Sequence, residues 1–376
     1  MLNSSTGGHL NVNAGLLVKL HMIPVGILGA TGTVGQRFIE LLDHHPQFYI
    51  AAIGASERSA GKQYCHATAW KMTVPIPANI SCMLVSTCEP HHFTNCNVIF
   101  SGLDASVAGD IETQFVQAEF AVFSNAKNHR MNKFVPLVVP LVNTDHFDMI
   151  PTQRASLGIT RGFLVTNANC STTGLVVVLK ALTDAFGPLA KIMVTTMQAI
   201  SGGGYPGVPS LDILGNVVPY ISGEEEKIEQ EVLKILGSVT PTGFVNLTDT
   251  RVSASCNRVA VVDGHTESVF VEFRASDKPS VEEAIHALET YSPQYTTLKL
   301  ASAPEHAIHV TAMQDRPQPR LDLNVGGGFA TVVGRVRKCA VLDVKFTLLC
   351  HNTILGAAGS SILNAEVALA KGFIAL

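Results

Sequence analysis

The stretch VGILGATGTVGQRFIELL, residues 25–42, decides the fold of this chain. A short apolar run precedes Gly29, Gly32 and Gly35, and an amphipathic segment follows them. This order predicts a strand, a glycine turn and a helix, the context in which a glycine fingerprint indicates a dinucleotide site. The glycines let the backbone approach a pyrophosphate, which rests on the helix N-terminus. Because G-x-x-G-x-x-G is a variant of the commoner G-x-G-x-x-G, a tight turn without a ligand is the alternative.

The second predicted strand, residues 49–55, ends in SERSAGK, residues 56–62. Proteins that prefer NAD usually place a carboxylate at this point, on the ribose 2′-hydroxyl. Arg58, two serines and Lys62 suit a 2′-phosphate better, so we expect NADP. A carboxylate at Glu57 would repel that phosphate, and we expect this side chain to point elsewhere.

Further apolar runs at residues 97–101 and 120–124 read as parallel strands. Strands that alternate with helical segments predict a doubly wound parallel sheet, the Rossmann-type α/β arrangement. With 376 residues the chain is long enough for a second domain beside this one.

Bulk composition excludes several classes of protein. Hydrophobic residues make up 47% of the chain and charged residues 15%, and a net charge of −4 argues against a nucleic-acid partner. No stretch approaches the roughly 18 uninterrupted apolar residues of a membrane span. The eight cysteines are scattered without a secretory signal, which predicts reduced thiols and a cytoplasmic location. Residues 1–22 match no transit peptide, and we expect a disordered extension.

One cluster of cysteines and histidines imitates a metal site. Its pattern, C-x5-C-x2-H-H-x3-C, comprises Cys82, Cys88, His91, His92 and Cys96. Ordinary zinc sites use paired C-x2-C or H-x3-5-H units, which this spacing does not provide. We therefore expect no metal and read the segment as a surface turn beside buried cysteines.

The segment TNANCSTTGLVVVLKAL, residues 166–182, places Cys170 at the start of an apolar helix. Unpaired N–H groups and the positive end of the helix dipole favour a thiolate there. Such a cysteine can fall from a pKa of about 8.5 to between about 3.5 and 7.5. The same N–H groups could hold an oxyanion formed by attack on a carbonyl. The alternative is a buried cysteine that only fills the core.

Later segments carry further candidates. Arg258 and His265 flank a predicted strand and turn, so the histidine could reach a cysteine as acid or base, and the arginine could bind a carboxylate. Glu224 and Lys227 share one helix face and could bind an ammonium and a phosphate; the alternative is a solvated helix start. The loop AISGGGYPG, residues 199–207, could approach a ligand closely or be a flexible connector.

Taken together, these segments resemble the aspartate-semialdehyde dehydrogenases of the fungal and archaeal type. The resemblance covers about residues 23–376, and two departures are small: Glu57 stands where some relatives carry a hydroxyl, and Ala168 stands where proline is common. The similar segments occur in the expected order: GATGTVGQRF, SERSAGK, FSGLDA, SNAKNHR, NCSTTGLV, QAISGGGYPGVP, GEEEK, NRVAVVDGHTE, DRPQPRLD, GRVR and HNTILGAAGS.

The resemblance implies a role for each matching residue. Cys170 would be the nucleophile, His265 the acid/base and Gln198 a residue that helps hold the acyl intermediate. Substrate would be bound at its α-carboxylate, its α-ammonium and its phosphate by Arg258, Glu224, Arg130, Lys227, Asn125 and Asn169. NADP would be bound by Gly29, Thr31, Gly32, Thr33, Val34, Gly35, Ser56, Arg58, Ser59, Ser101, Ser201, Gly202 and Asn352.

The resemblance also implies the reaction and the architecture. The reaction is NADPH-dependent reductive dephosphorylation of 4-phospho-L-aspartate through a cysteine thioester, a step of lysine, threonine, methionine and isoleucine synthesis. An NADP-binding domain would span residues 23–164, with a final helix within 349–376 returning to it. A catalytic and dimerisation domain, residues 165–348, would have a mostly antiparallel sheet. A homodimer or homotetramer is expected, with residues 208–220 at an interface, and neither nucleic acid nor membrane as partner.

Three rival functions are considered. A malonyl-CoA reductase would keep Cys170, His265 and the glycine turn, and an N-acetylglutamyl-phosphate reductase would share the fold. Malonyl-CoA has no α-ammonium and α-carboxylate to bind, so Arg258 and Glu224 together argue against the first. The amine of N-acetylglutamyl phosphate is acylated and neutral, so Glu224 argues against the second. A non-catalytic NADP-binding protein would not need the cysteine and histidine at all.

Overall fold

A computed structural model describes residues 22–375, so the prediction for residues 1–22 lies, apart from Met22, outside the described residues. The first half of the chain forms a seven-stranded sheet in the order β3-β2-β1-β4-β5-β7-β6, and every pairing in it is parallel. Its strands are β1 (Ile23–Leu28), β2 (Phe48–Ala55), β3 (Ser86–Thr87), β4 (Val98–Ser101), β5 (Ala121–Ser124), β6 (Leu137–Val138) and β7 (Phe163–Asn167).

Helices connect these strands, as parallel pairing requires. They are α1 (Thr33–Leu42), α2 (Tyr64–Ala67), α3 (Ala78–Ser81), α4 (Ala105–Gln117) and α5 (Ile150–Leu157), with 3-10 turns at Pro90–His92 and Thr144–Met149. The central strands β1, β4, β5 and β7 are almost entirely buried because helices cover both faces of such a sheet. The predicted doubly wound sheet is confirmed.

The second half of the chain forms a six-stranded sheet in the order β11-β8-β12-β15-β14-β13. Its strands are β8 (Leu189–Gln198), β11 (Arg251–Arg258), β12 (His265–Phe273), β13 (Ile308–Thr311), β14 (Thr331–Lys338) and β15 (Val344–Cys350); β9 (Ser238–Thr240) and β10 (Gly243–Val245) form a separate hairpin. Two of the five pairings, β11 with β8 and β13 with β14, are parallel. The sheet is therefore mixed, which corrects the prediction of a mostly antiparallel one.

The remaining helices are α6 (Cys170–Phe186), α7 (Ser210–Ile213), α8 (Glu224–Ile235), α9 (Val281–Glu289), α10 (Pro319–Asp322) and α11 (Gly359–Ala370), with 3-10 turns at Ile200–Gly203, Gln294–Leu298 and Val325–Gly328. A π-helical segment, Ile354–Ala358, leads directly into α11, which contacts β4, β5 and β7 of the first sheet. Among residues 22–375, every helix is too short or too polar to cross a bilayer.

Helix α6 packs on the inner face of the second sheet. Its apolar side chains are buried along nearly the whole helix, with Leu175, Val176, Val178 and Leu179 fully inside. Gly174 allows the close approach, because a Cβ there would lie 2.5 Å from the Cβ of Cys350 on β15.

The strand directions bring three of the predicted site residues to one end of this sheet. Strands β8 and β11 run parallel, so Gln198 and Arg258 are paired at their ends. Strand β12 runs antiparallel to β8 and therefore begins at that same end, with Thr266 opposite Met197. His265, Gln198 and Arg258 meet there although they lie far apart in the chain.

Candidate active site

Cys170 is the first residue of helix α6, immediately after a buried cap. The Asn169 side-chain oxygen accepts from the backbone N–H of Ser171 at 2.9 Å and of Thr172 at 3.3 Å. This is the side-chain capping expected of asparagine at a helix start. Two of the N–H groups that were expected to face a ligand are therefore occupied by the cap.

The Sγ of Cys170 lies 3.1 Å from Nε2 of His265, which starts strand β12. The other ring nitrogen, Nδ1, accepts a hydrogen bond from the backbone N–H of Ala199 at 3.1 Å. A neutral imidazole has one donor and one acceptor nitrogen. Because Nδ1 is held as the acceptor, the proton lies on Nε2 and points at the sulfur.

Burial keeps this cysteine and histidine uncharged. Burial and the Glu224 carboxylate raise the pKa of the Cys170 thiol to about 12, despite the opposing charges of Arg258 and Arg130. Burial and Arg258 lower the pKa of His265 to about 3. The expectation that the helix start lowers the cysteine pKa is wrong for this structure, because desolvation of a buried thiolate outweighs the helix dipole.

A hydrogen-bonded cluster surrounds Glu224, the first residue of helix α8. Its Oε1 accepts from the side-chain amides of Asn169 at 2.6 Å and Gln198 at 3.0 Å, and its Oε2 accepts from Lys227 at 2.9 Å. The Gln198 amide also donates to the Ser171 hydroxyl. Burial acts to raise the pKa of Glu224, but Lys227 and the two amides outweigh it and hold this pKa at about 2. A buried carboxylate therefore stays ionised beside the cysteine.

Arg258 ends strand β11 and is buried beside this cluster. Its Nη1 donates to the carbonyl of Ala199 at 2.7 Å, so the loop after β8 holds both Arg258 and His265. Gly202 in the same loop lies against both side chains: a Cβ there would be 2.9 Å from Arg258 Nη1 and 3.2 Å from His265 Cε1. A glycine is needed at this position because any side chain would displace the two.

A buried cation, Arg130, faces the cluster from the first half of the chain. Its Nη1 donates to Glu231 at 2.8 Å and its Nη2 to the carbonyl of Asn125 at 2.8 Å. Its Nε is buried and has no hydrogen-bond partner within residues 22–375. A guanidinium that retains unused N–H donors is suited to bind an oxyanion.

The turn between β1 and α1 provides the candidate cofactor site. Gly29 has a φ of +73°, and a Cβ there would lie 2.7 Å from the carbonyl of Gly102; a Cβ at Gly35 would lie 2.3 Å from the carbonyl of Gly29. Gly32 caps the helix without a side-chain acceptor, so the first N–H groups of α1 stay available. Such a cradle fits the pyrophosphate of a dinucleotide. At the end of β2, Ser56 and Arg58 are exposed, as a 2′-phosphate site requires.

Comparison with known proteins identifies the family. A model described as semialdehyde dehydrogenase, NAD binding domain, matches residues 24–150, and one described as semialdehyde dehydrogenase, dimerisation domain, matches residues 179–355. The aspartate-semialdehyde dehydrogenase of Schizosaccharomyces pombe is 56% identical over 93% of this chain and 99% of its own length. That of Cryptococcus neoformans is 56% identical over 94% of this chain and 98% of its own. The chain belongs to the aspartate-semialdehyde dehydrogenase family.

A solved structure of a relative agrees with this assignment. The crystal structure of aspartate-semialdehyde dehydrogenase with NADP from Candida albicans is 49% identical and covers 94% of this chain and 100% of its own, with a TM-score of 0.88. The resemblance stated from the sequence is therefore confirmed.

In this member of the family, six of the nine residues predicted for catalysis and substrate binding lie together. Cys170 and His265 touch, and one network joins Gln198, Glu224, Asn169 and Lys227. Asn352 lies on the other side of the histidine strand: its side chain accepts from the N–H of Gly264 and donates to the Ser201 hydroxyl, each at 2.8 Å.

Two predicted side chains point into the protein instead. The Ser101 hydroxyl donates to the buried Glu112 at 2.6 Å. The Asn125 amide donates to the carbonyl of Ser101 at 3.0 Å and accepts from Asn167 at 2.9 Å. Both residues can therefore reach a ligand only through their main chains, or after these hydrogen bonds are exchanged.

The cysteine–histidine pattern near residue 90 does not assemble as one group. Cys82 is exposed, Cys96 is buried, and Cys88 is partly buried with its thiol directed at the carbonyl of Ala55. A different set, Glu89 with His91 and His92, brings its side-chain ligand atoms within 4.8 Å of one another on the exposed 3-10 turn. The expectation of no metal stays a prediction.

Sequence reasoning missed four residues of this region: Ser171, Glu231, Lys234 and Glu267. A signal existed for three of them. In GEEEKIEQEVLK the ionisable residues Glu224, Lys227, Glu231 and Lys234 are spaced by three, four and three, which places them on one side of a helix. Glu267 is in phase with the apolar Val269, Val271 and Phe273 in the alternation of β12, which places its side chain on the buried face of that strand.

Proposed function

We propose that the chain catalyses reductive dephosphorylation of 4-phospho-L-aspartate by NADPH, giving L-aspartate 4-semialdehyde for lysine, threonine, methionine and isoleucine synthesis. The observation that carries the proposal is the 3.1 Å contact between Cys170 Sγ and His265 Nε2, next to a buried arginine and an ionised carboxylate, in a member of this family. A soft nucleophile suits acyl transfer from phosphate.

In the proposed mechanism, Cys170 attacks the acyl phosphate and its thiol proton leaves with the departing phosphate. A thioester forms on Sγ, which divides one difficult step into two easier ones. NADPH bound at the glycine turn supplies the hydride that reduces this thioester. His265 donates a hydrogen bond through Nε2 to charge on the sulfur and then to the alkoxide that hydride transfer to the thioester creates. Collapse of this alkoxide forms the aldehyde and breaks the carbon–sulfur bond. The sulfur leaves as a thiolate that takes a proton from Nε2 of His265, and solvent returns that proton to the imidazole.

Other residues bind the substrate in this proposal. Arg258 binds the α-carboxylate and Glu224 the α-ammonium, while Gln198 holds the acyl group. Support comes from the burial of the first two and from the pKa of Glu224, which leaves a carboxylate ready to pair with a cation. Phosphate is bound by Arg130 and Lys227, with Asn125 and Asn169 beside them.

NADP specificity and the cofactor contacts are part of the same proposal. The glycine turn, from Gly29 to Gly35, binds the pyrophosphate, with Thr31, Thr33 and Val34 in the turn. Arg58 with Ser56 and Ser59 binds the 2′-phosphate, and Ser101, Ser201, Gly202 and Asn352 lie toward the nicotinamide end. The open first turn of α1 and the exposed Arg58 support this placement.

A second candidate function is another NADP-dependent acyl reductase, acting on malonyl-CoA or N-acetylglutamyl phosphate. Such an enzyme would also use the cysteine and histidine. Its substrate would bring no ammonium group to Glu224, which is buried, ionised and paired with Lys227 in the structure. That carboxylate favours an amino-acid substrate with a free ammonium.

The test is NADP reduction by L-aspartate semialdehyde, with and without inorganic phosphate, for the wild type and Cys170→Ser. We expect phosphate-dependent turnover that vanishes in the variant. Phosphate-independent turnover would contradict acyl-phosphate chemistry, and turnover retained by Cys170→Ser would remove this cysteine as nucleophile. No turnover in folded wild-type protein that still binds NADP would favour the second candidate.

We also propose the division of the chain and its assembly. Residues 23–164 form the NADP-binding domain, with the C-terminal helix within 349–376 packed on it, and residues 165–348 form the catalytic domain. The chain assembles as a homodimer or homotetramer, supported by the match of residues 179–355 to a dimerisation domain. Exposed apolar side chains at Leu211, Leu214 and Val217 support the predicted interface at residues 208–220.

A further inference from the structure

Helix α8 presents a row of charged residues to the protein interior. Glu224, Glu231 and Lys234 are buried and Lys227 partly so, and all lie on one side of the helix. An amphipathic helix normally buries apolar residues, because an unpaired buried charge destabilises the fold by several kcal/mol. Glu224 and Lys227 belong to the substrate site proposed above, whereas Glu231 and Lys234 have no role in it.

Glu231 joins two parts of that site. Its Oε1 accepts from Arg130 Nη1 at 2.8 Å, and its Oε2 accepts from the backbone N–H of Asn169 at 2.6 Å. Asn169 caps the helix that begins with Cys170. One carboxylate, 2% exposed, therefore holds the cationic side chain and the start of the nucleophile helix together.

Lys234, one turn further along α8, holds the main chain of the same loop. Its Nζ donates to the carbonyls of Arg130 at 2.7 Å, Asn132 at 2.9 Å and Val135 at 3.0 Å. The side chain and the backbone of Arg130 are thus both fixed from one helix. The Nε of Arg130 remains buried and without a partner within the described residues.

We propose that Glu231 is a positioning residue for phosphate binding: it holds the Arg130 guanidinium at the phosphate site and, through the N–H of Asn169, holds the start of the helix that carries Cys170. The inference rests on the proposed function, because it takes phosphate as the ligand of Arg130. Glu231 and the carbonyl of Asn125 each accept one hydrogen bond from the guanidinium, which leaves three of its five N–H donors for an anion. Phosphate binding and nucleophile position are coupled through this single side chain.

The experiment compares Glu231→Gln with Glu226→Gln, an exposed position on the same helix. Glutamine is uncharged and has one acceptor oxygen, so it cannot bind both Arg130 and the N–H of Asn169 as the carboxylate does. The KM for inorganic phosphate should therefore rise roughly 10- to 100-fold, the range for hydrogen bonds to charged groups. The KM for L-aspartate semialdehyde should change less than about twofold, and Glu226→Gln should match the wild type in both. A purely structural role would instead lower the amount of folded enzyme and leave both KM values unchanged.

A second readout does not depend on turnover. Inorganic phosphate should protect Cys170 from alkylation by iodoacetamide in the wild type, and Glu231→Gln should need a correspondingly higher phosphate concentration. Protection at the wild-type concentration would overturn the inference while leaving the proposed function intact. Absence of any phosphate protection in wild-type protein, together with phosphate-independent turnover, would overturn the proposed function itself.

A double-mutant cycle separates positioning from stability. If Glu231 acts through Arg130, Glu231→Gln should have little further effect on the phosphate KM once Arg130→Ala is present. Additive effects would contradict the inference. Should Glu231→Gln fail to fold, Glu231→Asp keeps the charge but is too short to span both donors, and the same rise in the phosphate KM is expected.

Discussion

At Cys170, burial has more influence on the protonation state than position at a helix start. The thiol lies beside Glu224, and its sulfur is 3.1 Å from the Nε2 nitrogen of His265. The sequence predicts the helix start at Cys170. It does not predict that the Glu224 carboxylate lies beside the thiol, because Glu224 belongs to a helix more than fifty residues away in the chain. The reactivity of this cysteine is set by neighbours that only the tertiary fold supplies.

The alkylation of Cys170 should therefore depend steeply on pH. A thiol whose pKa is raised to about 12 is protonated at neutral pH, and its thiolate fraction grows about tenfold per pH unit below that value. We expect the rate of carbamidomethylation by iodoacetamide, followed by peptide mass spectrometry, to rise throughout pH 6–9. The exposed Cys82 in the same digest serves as the control. A rate for Cys170 that levels off below about pH 8 would contradict the raised pKa.

Arg258→Lys tests the proposed carboxylate site. A lysine supplies a point charge in place of a planar guanidinium with two parallel donors, so we expect the KM for L-aspartate semialdehyde to rise roughly 10- to 100-fold. Steady-state kinetics with saturating NADP and phosphate measure the change. The matched control is Arg251→Lys, at the exposed start of the same strand. An unchanged KM in Arg258→Lys would remove this residue from the substrate site.

Among the secondary-structure elements, those with a periodic local signal were predictable. The apolar runs of the first half correspond to β1, β2, β4 and β5, and the glycine turn opens a helix at Thr33. Pairings between distant strands were not predictable, because they depend on contacts that no local pattern encodes. The parallel pairing of β11 with β8 is one example: it makes the second sheet mixed and brings Arg258 opposite Gln198.

The glycine turn offers a test at the level of one element. In Gly35→Ala the new Cβ would overlap the carbonyl of Gly29, 2.3 Å away, so helix α1 must shift. We expect a loss of about 2 kcal/mol or more in the free energy of unfolding and weaker binding of NADP. In Gly32→Ala the nearest atom would be 3.4 Å away, and stability should stay within about 1 kcal/mol of the wild type. Denaturant unfolding measures both; equal stabilities would show that the turn relaxes freely.

In the whole molecule, the chain passes from the first sheet to the second half just before Cys170. Strand β7 of the first sheet ends at Asn167, and three residues later Cys170 begins helix α6, which packs on the second sheet. The family resemblance implies a domain boundary between residues 164 and 165, close to this point. It could not predict that Arg130, from the first half, would be held by Glu231, from the second, because that ion pair spans 101 residues.

The proposed assembly predicts the effect of a charge at the exposed apolar segment. Leu211 is 93% exposed in the single chain, and an interface there would bury it. We expect Leu211→Glu to shift the molar mass measured by light scattering toward the monomer, since a buried unpaired carboxylate opposes association. The control is Leu84→Glu, 63% exposed and outside the match to the dimerisation domain. An unchanged mass for Leu211→Glu would place the interface elsewhere.

Glu267 makes folding of the whole chain a proton-binding reaction. This carboxyl is fully buried on strand β12, neither of its oxygens has a hydrogen-bond partner within residues 22–375, and burial together with the Glu224 carboxylate raises its pKa well above the usual value. At a pH between the pKa of an unperturbed glutamate and this raised pKa, the unfolded chain carries Glu267 ionised and the folded chain carries it protonated, so folding takes up a proton. The free energy of unfolding should therefore fall as pH rises above about 4.3, the pKa of an unperturbed glutamate.

The calorimetric signature follows directly. At a pH between about 4.3 and the raised pKa of Glu267, the apparent unfolding enthalpy should change with the ionisation enthalpy of the buffer, because each molecule that unfolds releases a proton to it. Glu267→Gln should reduce this buffer dependence and flatten the decline of stability with pH. An identical buffer dependence in the variant would mean that the exchanged proton comes from another group. A carboxyl group without partners thus couples the stability of this molecule to the proton balance of its surroundings.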